Sequence, residues 1–453
     1  MMIPLSAGQY RLWFLDQLEG PNATYNMPVV LGLSGELDVA ALGSALGDVV
    51  ARHESLRTVI EVVDGEPWQR VVQDVVPVFE VVDIAQSQLQ EQLDRVVAHH
   101  FDLSVEIPIR ARVFQLGPRE FVLALVMHHL AGDGWSFAPL MRDLSAAYAA
   151  RAAGVVPRFT PLPVQYADYA LWQREMLGEL DDPGSEIAVQ LGYWRRVLEG
   201  MPQELALPYD RARPVVASHR GAVVPLVIDA GVYRRLRKVA RDNGVTVFMV
   251  LNAVSAVLLC GVGAGHDIPM GAALAGRDEQ ALEDLVGFFV NTVVLRTDLS
   301  GNPDFTEVLG RVREAHLGAH AHAGVPFERV VEAVGTQRSA SRHPLFQVML
   351  VLQNNARAEL TLPHITTSQT TANTGTAKFD LTFAFTETLA TDGTIDGLAG
   401  SIEYATYLFD HDTITTLAQR FTRLLDTLVS APHTTISALT LLTPHEQQLL
   451  LHD

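Results

Sequence analysis

The sequence predicts an α/β protein whose two halves carry similar sets of elements. Three observations carry that prediction. The chain has 453 residues, 48% of them hydrophobic and 19% charged. That is the balance of a globular chain rather than a disordered one, and the length suits two or three domains. Residues 120–127, EFVLALVM, form a continuous apolar run of strand length, and a polar turn then leads into an amphipathic helix over 135–153. This strand–turn–helix order places side chains at the mouth of an α/β sheet. The alternation of strands and helices then returns after residue 220.

In chain order, residues 38–51 show apolar residues at helical spacing, and RHESLRTVIEV then turns strand-like. The helix over 135–153 is ended by Gly154 and Pro157. Residues 155–220 are rich in proline (Pro161, Pro163, Pro183, Pro202, Pro208 and Pro214 follow Pro157), interrupted by helices over about 164–178 and 186–198. This stretch is the candidate interlobe connection, with a boundary near 175–180. The second half reads as a strand at 222–229, a helix at 231–242 and a buried helix from about 245. A strand at 289–297, helices at 304–322 and 326–334, and strands at 345–353, 378–387 and 398–405 follow, before a last helix at 412–430. The polar tract 355–377 reads as a mobile loop.

Composition excludes several classes of function. Lys and Arg number 33 against 52 Asp and Glu, a net charge of −19, so a nucleic-acid partner is not expected. The single cysteine, Cys260, excludes a disulfide framework and a cysteine-based metal site; inside an apolar helix it reads as packing. Residues 244–264 are long enough to span a bilayer. Their three glycines, Thr246, Asn252 and Ser255 make a buried core helix the better reading, so no membrane is expected. The opening MMIPLSAGQYRLWF lacks a basic region followed by an apolar one, so it is no signal peptide and a cytoplasmic protein is expected.

The chemistry is concentrated in Met127-His128-His129-Leu130-Ala131-Gly132-Asp133-Gly134-Trp135-Ser136. Two histidines follow directly on the apolar strand, and strand alternation puts their rings on opposite faces, one toward a cleft and one into the fold. An imidazole is the natural proton handler at cytosolic pH. Asp133 can orient a ring or pair with an arginine to hold the turn, and glycines let the backbone turn tightly. Other readings are weaker. The second pair, His99-His100, reads as structural or surface. No HExxH motif supports a metal site, no G-x-S-x-G supports serine catalysis, and GVGAGHDIPMG lacks both phosphate-loop spacings.

These residues, His128 to Gly134, resemble the HHxxxDG signature of nonribosomal peptide synthetase condensation domains, whose shorter core is shared with chloramphenicol acetyltransferase. Six further blocks match in the family's order: 5–18, 52–60, 166–173, 286–296, 322–332 and 341–354. FDLTFAFTE and GLAGSIEYATYLFD resemble its C-terminal strands, so the resemblance covers nearly the whole chain. Two departures stand out: His322-Ala323-Gly324 where the family often has His-Gln-Asp, and Gly8 where Ala or Pro-Ala is more usual. Both are expected to touch loops or carrier contacts more than chemistry. Asp133-Gly134-Trp135-Ser136 favours condensation over epimerisation or heterocyclisation.

The resemblance implies an α/β fold of two chloramphenicol acetyltransferase-like lobes in a V-shaped pseudo-dimer, each a mixed β-sheet with flanking helices. An N-terminal lobe, 1–175, carries the motif, and a C-terminal lobe, 176–453, ends in a tail, 436–453, resembling a linker to an adenylation domain. The implied reaction joins a donor peptidyl or acyl thioester to an acceptor aminoacyl thioester as an amide. Both arrive on phosphopantetheine arms of carrier domains, upstream donor and downstream acceptor, in a tunnel at the lobe junction. No cofactor is bound by the domain itself. His129 is the candidate general base or positioning group, with Asp133, His128 and Gly134 beside it. Arg57 and Arg296 are candidate ion-pair partners of Asp133, and Trp135, Ser136 and Asn291 candidate tunnel or lobe-bridging residues. Tyr166, Asp168, Tyr169 and Trp172 read as packing. GPNATYN, AGDGWSFAPL and DDPGSEIAVQ lean toward a D-configured donor terminus with an L acceptor. The alternatives are a free-standing acyltransferase using coenzyme A, epimerisation, and a non-catalytic module that recruits carriers.

Overall fold

The computed structural model describes residues 2–20, 22–335, 339–353, 359–370, 374–389 and 395–442. In chain order the elements are β1 (Ile3–Pro4), α1 (Ala7–Glu19), β2 (Asn26–Gly35), α2 (Val39–Arg52), β3 (Thr58–Val63), β4 (Glu66–Val71), β5 (Val78–Asp83), α3 (Leu89–Val97), β6 (Ile109–Gly117), β7 (Glu120–His128), α4 (Phe137–Ala152), α5 (Tyr166–Leu177) and α6 (Glu186–Val197). There follow β8 (Gly221–Ile228), α7 (Ala230–Asp242), α8 (Val247–Leu259), β9 (Asp267–Leu274), β10 (Asn291–Asp298), α9 (Phe305–Ala321), α10 (Phe327–Val334), β11 (Val348–Gln353), β12 (Ile365–Thr370), β13 (Leu381–Leu389), β14 (Ile395–Ala405) and α11 (His411–Ser430).

The chain divides into two compact units, but not at a single break near 175. The first holds Met1–Glu186 together with Ala275–Asn291 and Asn355–Thr374; the second holds the remainder. Within the polar tract expected to be a loop, β12 pairs antiparallel with β2 from Ile365↔Gly35 to Thr370↔Val30. Backbone pairing supplies what the sequence pattern does not advertise: a Thr- and Ser-rich strand needs no apolar face when it sits at a sheet edge. Residues 355–358 and 371–373 of that tract lie outside the described residues, as do residues 443–453 of the expected linker tail.

The first unit's main sheet has the order β12-β2-β7-β6-β5, antiparallel except for the parallel β5–β6 pair. β7 explains its own continuous apolar run. Phe121, Leu123, Leu125 and Met127 join one core cluster with residues of α2 and α4, whereas Val122, Ala124 and Val126 join a second with Leu93, Val96 and Phe101. A strand buried on both faces shows no polar alternation. Its C-terminal end is where the two histidines emerge. A small antiparallel sheet, β1-β4-β3, completes this unit.

The second unit holds a six-stranded mixed sheet of order β10-β9-β11-β13-β14-β8. The apolar stretch tested for a membrane span is α8, and every residue from Val250 to Leu259 is buried in this unit's core. Cys260 lies at the end of α8 rather than inside it and is half-buried; burial pushes its thiol up, away from reactive thiolate.

One buried group here makes stability depend on pH. His316 of α9 packs edge-on to Phe248, with ring centroids 5.4 Å apart, and its Nε2 has no hydrogen-bond partner among the described residues. Burial holds its pKa at about 4, below the ordinary 6.5. The unfolded chain therefore takes the proton first, so this stability is whole above about pH 6.5 and is lost as pH falls toward 4. His53 shifts the same way, because burial disfavours its charged form. The expected difference is that wild type loses roughly 2–3 kcal/mol more than His316→Leu between pH 7 and pH 4. Urea denaturation at the two values measures it, and parallel losses in both proteins would refute it.

Candidate active site

The turn after β7 is built by short-range hydrogen bonds. The backbone N–H of His129 donates to the Tyr25 carbonyl at 2.9 Å, anchoring the turn to the segment leading into β2. Asp133 caps the single helical turn Gly134–Ser136 that leads into α4, and its Oδ1 accepts from the Ser136 N–H at 3.0 Å. Neither Gly132 nor Gly134 has a positive φ among the described residues. Gly132 is needed for space instead: a Cβ there would lie 2.6 Å from Met127 Cε.

The two imidazoles differ in burial. His128 is buried; its Nδ1 accepts the Leu130 N–H at 3.2 Å, and its ring lies near Tyr25 and Phe101. His129 is only half-buried. Its Nδ1 lies 2.9 Å from the Gly132 carbonyl oxygen, and its ring meets Phe288 at 71° with centroids 4.8 Å apart. A carbonyl can only accept, so Nδ1 carries the hydrogen. In the neutral ring Nε2 is therefore the basic nitrogen.

Asp133 is fully buried and its partner is neither candidate arginine. Arg277 donates to Oδ1 at 3.1 Å, with side-chain exposures of 7% and 0% for the pair. Arg57 instead bonds the Val72 carbonyl and Glu54, and Arg296 makes a two-pronged pair with Asp267 at 2.9 and 2.7 Å. The error is physical: a buried carboxylate demands a cation, but nothing in linear spacing says which of many arginines the fold brings back. Arg277 follows β9 on the returning segment of the first unit. Its Nη1 also donates to the Leu282 and Leu285 carbonyls, and its guanidinium lies 4.2 Å from the Phe289 ring centroid.

Ser136 belongs to the same buried network rather than to a lining surface. Its Oγ accepts from the N–H groups of Asp133 and Gly287 and from Arg277, and lies 2.9 Å from both Asp133 Oδ1 and the Gly287 carbonyl. Trp135 is half-buried in the capped turn, and Asn291 opens β10 where the chain passes from the first unit to the second.

Residues 286–289 are held as a strap. The Val286 N–H donates to His53 Nδ1 and its carbonyl accepts from Ser55; the Phe288 carbonyl accepts from Tyr166 at 2.6 Å; the Phe289 N–H donates to Asp133 Oδ2 at 3.0 Å. His53 in turn bonds Asp143 of α4 at 2.9 Å. Tyr166 and Tyr169 are buried, and Tyr169 is pushed up to about 12, first by desolvation and then by the Asp133 charge. Asp168 caps α5 through the Gln165 N–H, and Trp172 is exposed at 44%. His99 is engaged structurally, between Glu106 at 2.8 Å and Arg110 at 2.6 Å. Among the described residues no cluster of three metal-ligating side chains occurs.

Comparison with known proteins gives a consistent picture. The condensation-domain family model matches residues 1–451. The chain is 48% identical over 450 residues to the probable non-canonical nonribosomal peptide synthetase CymA of Salinispora arenicola, covering 99% of this chain and 6% of that protein. It is 48% identical over 453 residues to the dimodular nonribosomal peptide synthase of Bacillus subtilis, covering 100% of this chain and 19% of that one. The chain therefore spans less than a fifth of the length of these relatives. Among solved structures, the X-domain from teicoplanin biosynthesis matches with a TM-score of 0.92 at 38% identity, over 98% of each chain. A four-domain nonribosomal peptide synthetase bound to AMP and glycine matches in fold with a TM-score of 0.88 at 22% identity, over 99% of this chain and 34% of that one.

Proposed function

Since this chain belongs to the condensation-domain family of nonribosomal peptide synthetases, we propose that it joins a donor peptidyl or acyl thioester to an acceptor aminoacyl thioester as an amide. The observation that carries the reading is the Nδ1 bond of His129 to the Gly132 carbonyl, which leaves Nε2 as the basic nitrogen. An α-amine has a pKa near 7.7–8.0, so much of it is protonated at neutral pH. Nε2 accepts a hydrogen from the acceptor amine and either removes the proton as the C–N bond forms or holds the amine's lone pair on the donor carbonyl. The thiolate of the donor's arm leaves. The thioester supplies the activation, so no resident cofactor is required.

His128 packs beneath the turn, Asp133 holds it through Arg277, and Gly134 supplies its first helical position. The partners are carrier domains bearing phosphopantetheine, upstream and downstream, with a neighbouring adenylation domain, in a cytoplasmic synthetase making a secondary metabolite. We assign the donor a D-configured last residue and the acceptor an L residue.

The test uses the protein with two separately loaded carriers, the donor ending in a matched L or D residue. Amide formed faster from the D-terminated donor is the expected result. Faster turnover from the L donor overturns the stereochemical assignment alone. Amide from coenzyme A thioesters with no carrier, or α-deuterium loss without amide, points to the acyltransferase or epimerase alternatives. Carrier binding with no amide from either donor points to a recruiting module.

A further inference from the structure

Gly8 departs from the residue type expected in its block, and the structure shows what fills the space. A Cβ at Gly8 would lie 2.9 Å from Phe288 Cε1 and 3.0 Å from Cδ1. Gly8 is the second residue of α1, and alanine is the better helix former of the two. Alanine would be favoured there unless the ring needs the room. The other side of the story is the strap. Val286, Gly287, Phe288 and Phe289 have backbone groups bonded by His53, Ser55, Ser136, Tyr166 and Asp133. A backbone held so firmly leaves the Phe288 ring little freedom except about its own side-chain bonds. The ring is 8% exposed and stands against the His129 imidazole.

We propose that Phe288 is a positioning residue for His129, and that Gly8 is the paired adaptation that lets its ring stand there. The Nδ1 bond restrains one edge of the imidazole, and the edge-to-face aromatic contact restrains its plane, a geometry that rings of this kind favour. Together they hold Nε2 in one direction. An imidazole free to turn about its Cβ–Cγ bond would put Cδ2 where Nδ1 stands and Cε1 where Nε2 stands, and lose the Gly132 bond. The expectation that Gly8 bears on loops or carrier contacts more than on chemistry is thereby revised: one side chain separates it from the reacting group. This inference rests on the role assigned to His129, and the readout below is independent of that role.

The experiment is a double-mutant cycle of Gly8→Ala and Phe288→Leu in the full chain, read by imidazole nitrogen NMR and by amide formation with loaded carriers. In wild type the His129 Nδ1–H signal is expected to be protected from exchange, with Nε2 unprotonated. Gly8→Ala forces the ring against the imidazole; the Nδ1–H protection falls, and kcat falls about tenfold with acceptor KM unchanged. Phe288→Leu lowers both more mildly. In that background Gly8→Ala adds no further loss, because the smaller side chain frees the space, so the two effects are not additive. Additive effects, or an Nδ1–H signal unchanged in both single variants, overturn the proposal. Altered NMR with wild-type turnover in every variant leaves the ring contact standing and overturns the role given to His129. A fold control comes from urea denaturation: if Gly8→Ala does not fold, Phe288→Leu alone carries the test, and an unchanged Nδ1–H signal in it overturns the proposal.

Discussion

Replacing His129 with alanine is expected to lower amide formation between two loaded carriers by about 10²–10⁴-fold. The ring is half-buried and stands at the end of β7 rather than inside a core cluster, so the fold is expected to survive its loss. Single-turnover rates with saturating donor and acceptor separate chemistry from carrier binding. His129→Gln is a sharper probe, since it keeps a hydrogen-bonding side chain without a basic nitrogen. If His129 is a base, both variants fall together; if it positions the amine, glutamine recovers part of the rate. Turnover like wild type in the alanine variant would remove His129 from the reaction.

The second large effect is structural. Asp133→Ala leaves the Arg277 guanidinium buried with no carboxylate, while its backbone bonds to Leu282 and Leu285 hold it in place. Breaking a buried pair from one side costs roughly 3–5 kcal/mol, far more than the 0–1 kcal/mol typical of an exposed pair. The same substitution removes the acceptor for the Ser136 and Phe289 N–H groups. The turn that carries the Gly132 carbonyl then loosens, so rate falls together with stability. Arg277→Lys is not expected to rescue, because a point charge cannot serve Asp133, Ser136 and two carbonyls at once. Chemical denaturation of Asp133→Ala and Arg277→Lys measures the loss. An unchanged unfolding midpoint with lost turnover would instead make Asp133 a direct participant in the chemistry.

Much of the site was legible because its parts are contiguous. The apolar run of β7 stops at two histidines, and the capped turn with Asp133 and Ser136 spans only a few residues beyond. Short-range patterns of this kind report local hydrogen bonds. Arg277, Phe288 and His53 carry no such signal. Each acts through a contact more than 100 residues away in sequence: Arg277 on Asp133, Phe288 on His129, and His53 on the Val286 N–H. Arg57 and Arg296 were reasonable partners by charge alone, and both were already engaged elsewhere.

Amphipathic spacing and apolar run length determined the kind of α2, β3, β7 and α4 and of most elements after residue 220, since each depends on whether a stretch can bury one face, both, or neither; α1, β2, β5, α3, β6 and β9 were not read from them. These patterns also determined where the two histidines sit, at the end of a strand buried on both faces. Only the tertiary structure decided that a Thr-rich stretch would become the edge strand β12, and that residues 275–291 would return to the first unit. It alone decided that Arg277 would neutralise Asp133 and that a missing methyl at Gly8 would admit the Phe288 ring. The reason is common to all four. Edge pairing, charge neutralisation and close packing depend on which distant groups meet, and the energy of such a meeting is not written in the spacing of either segment alone.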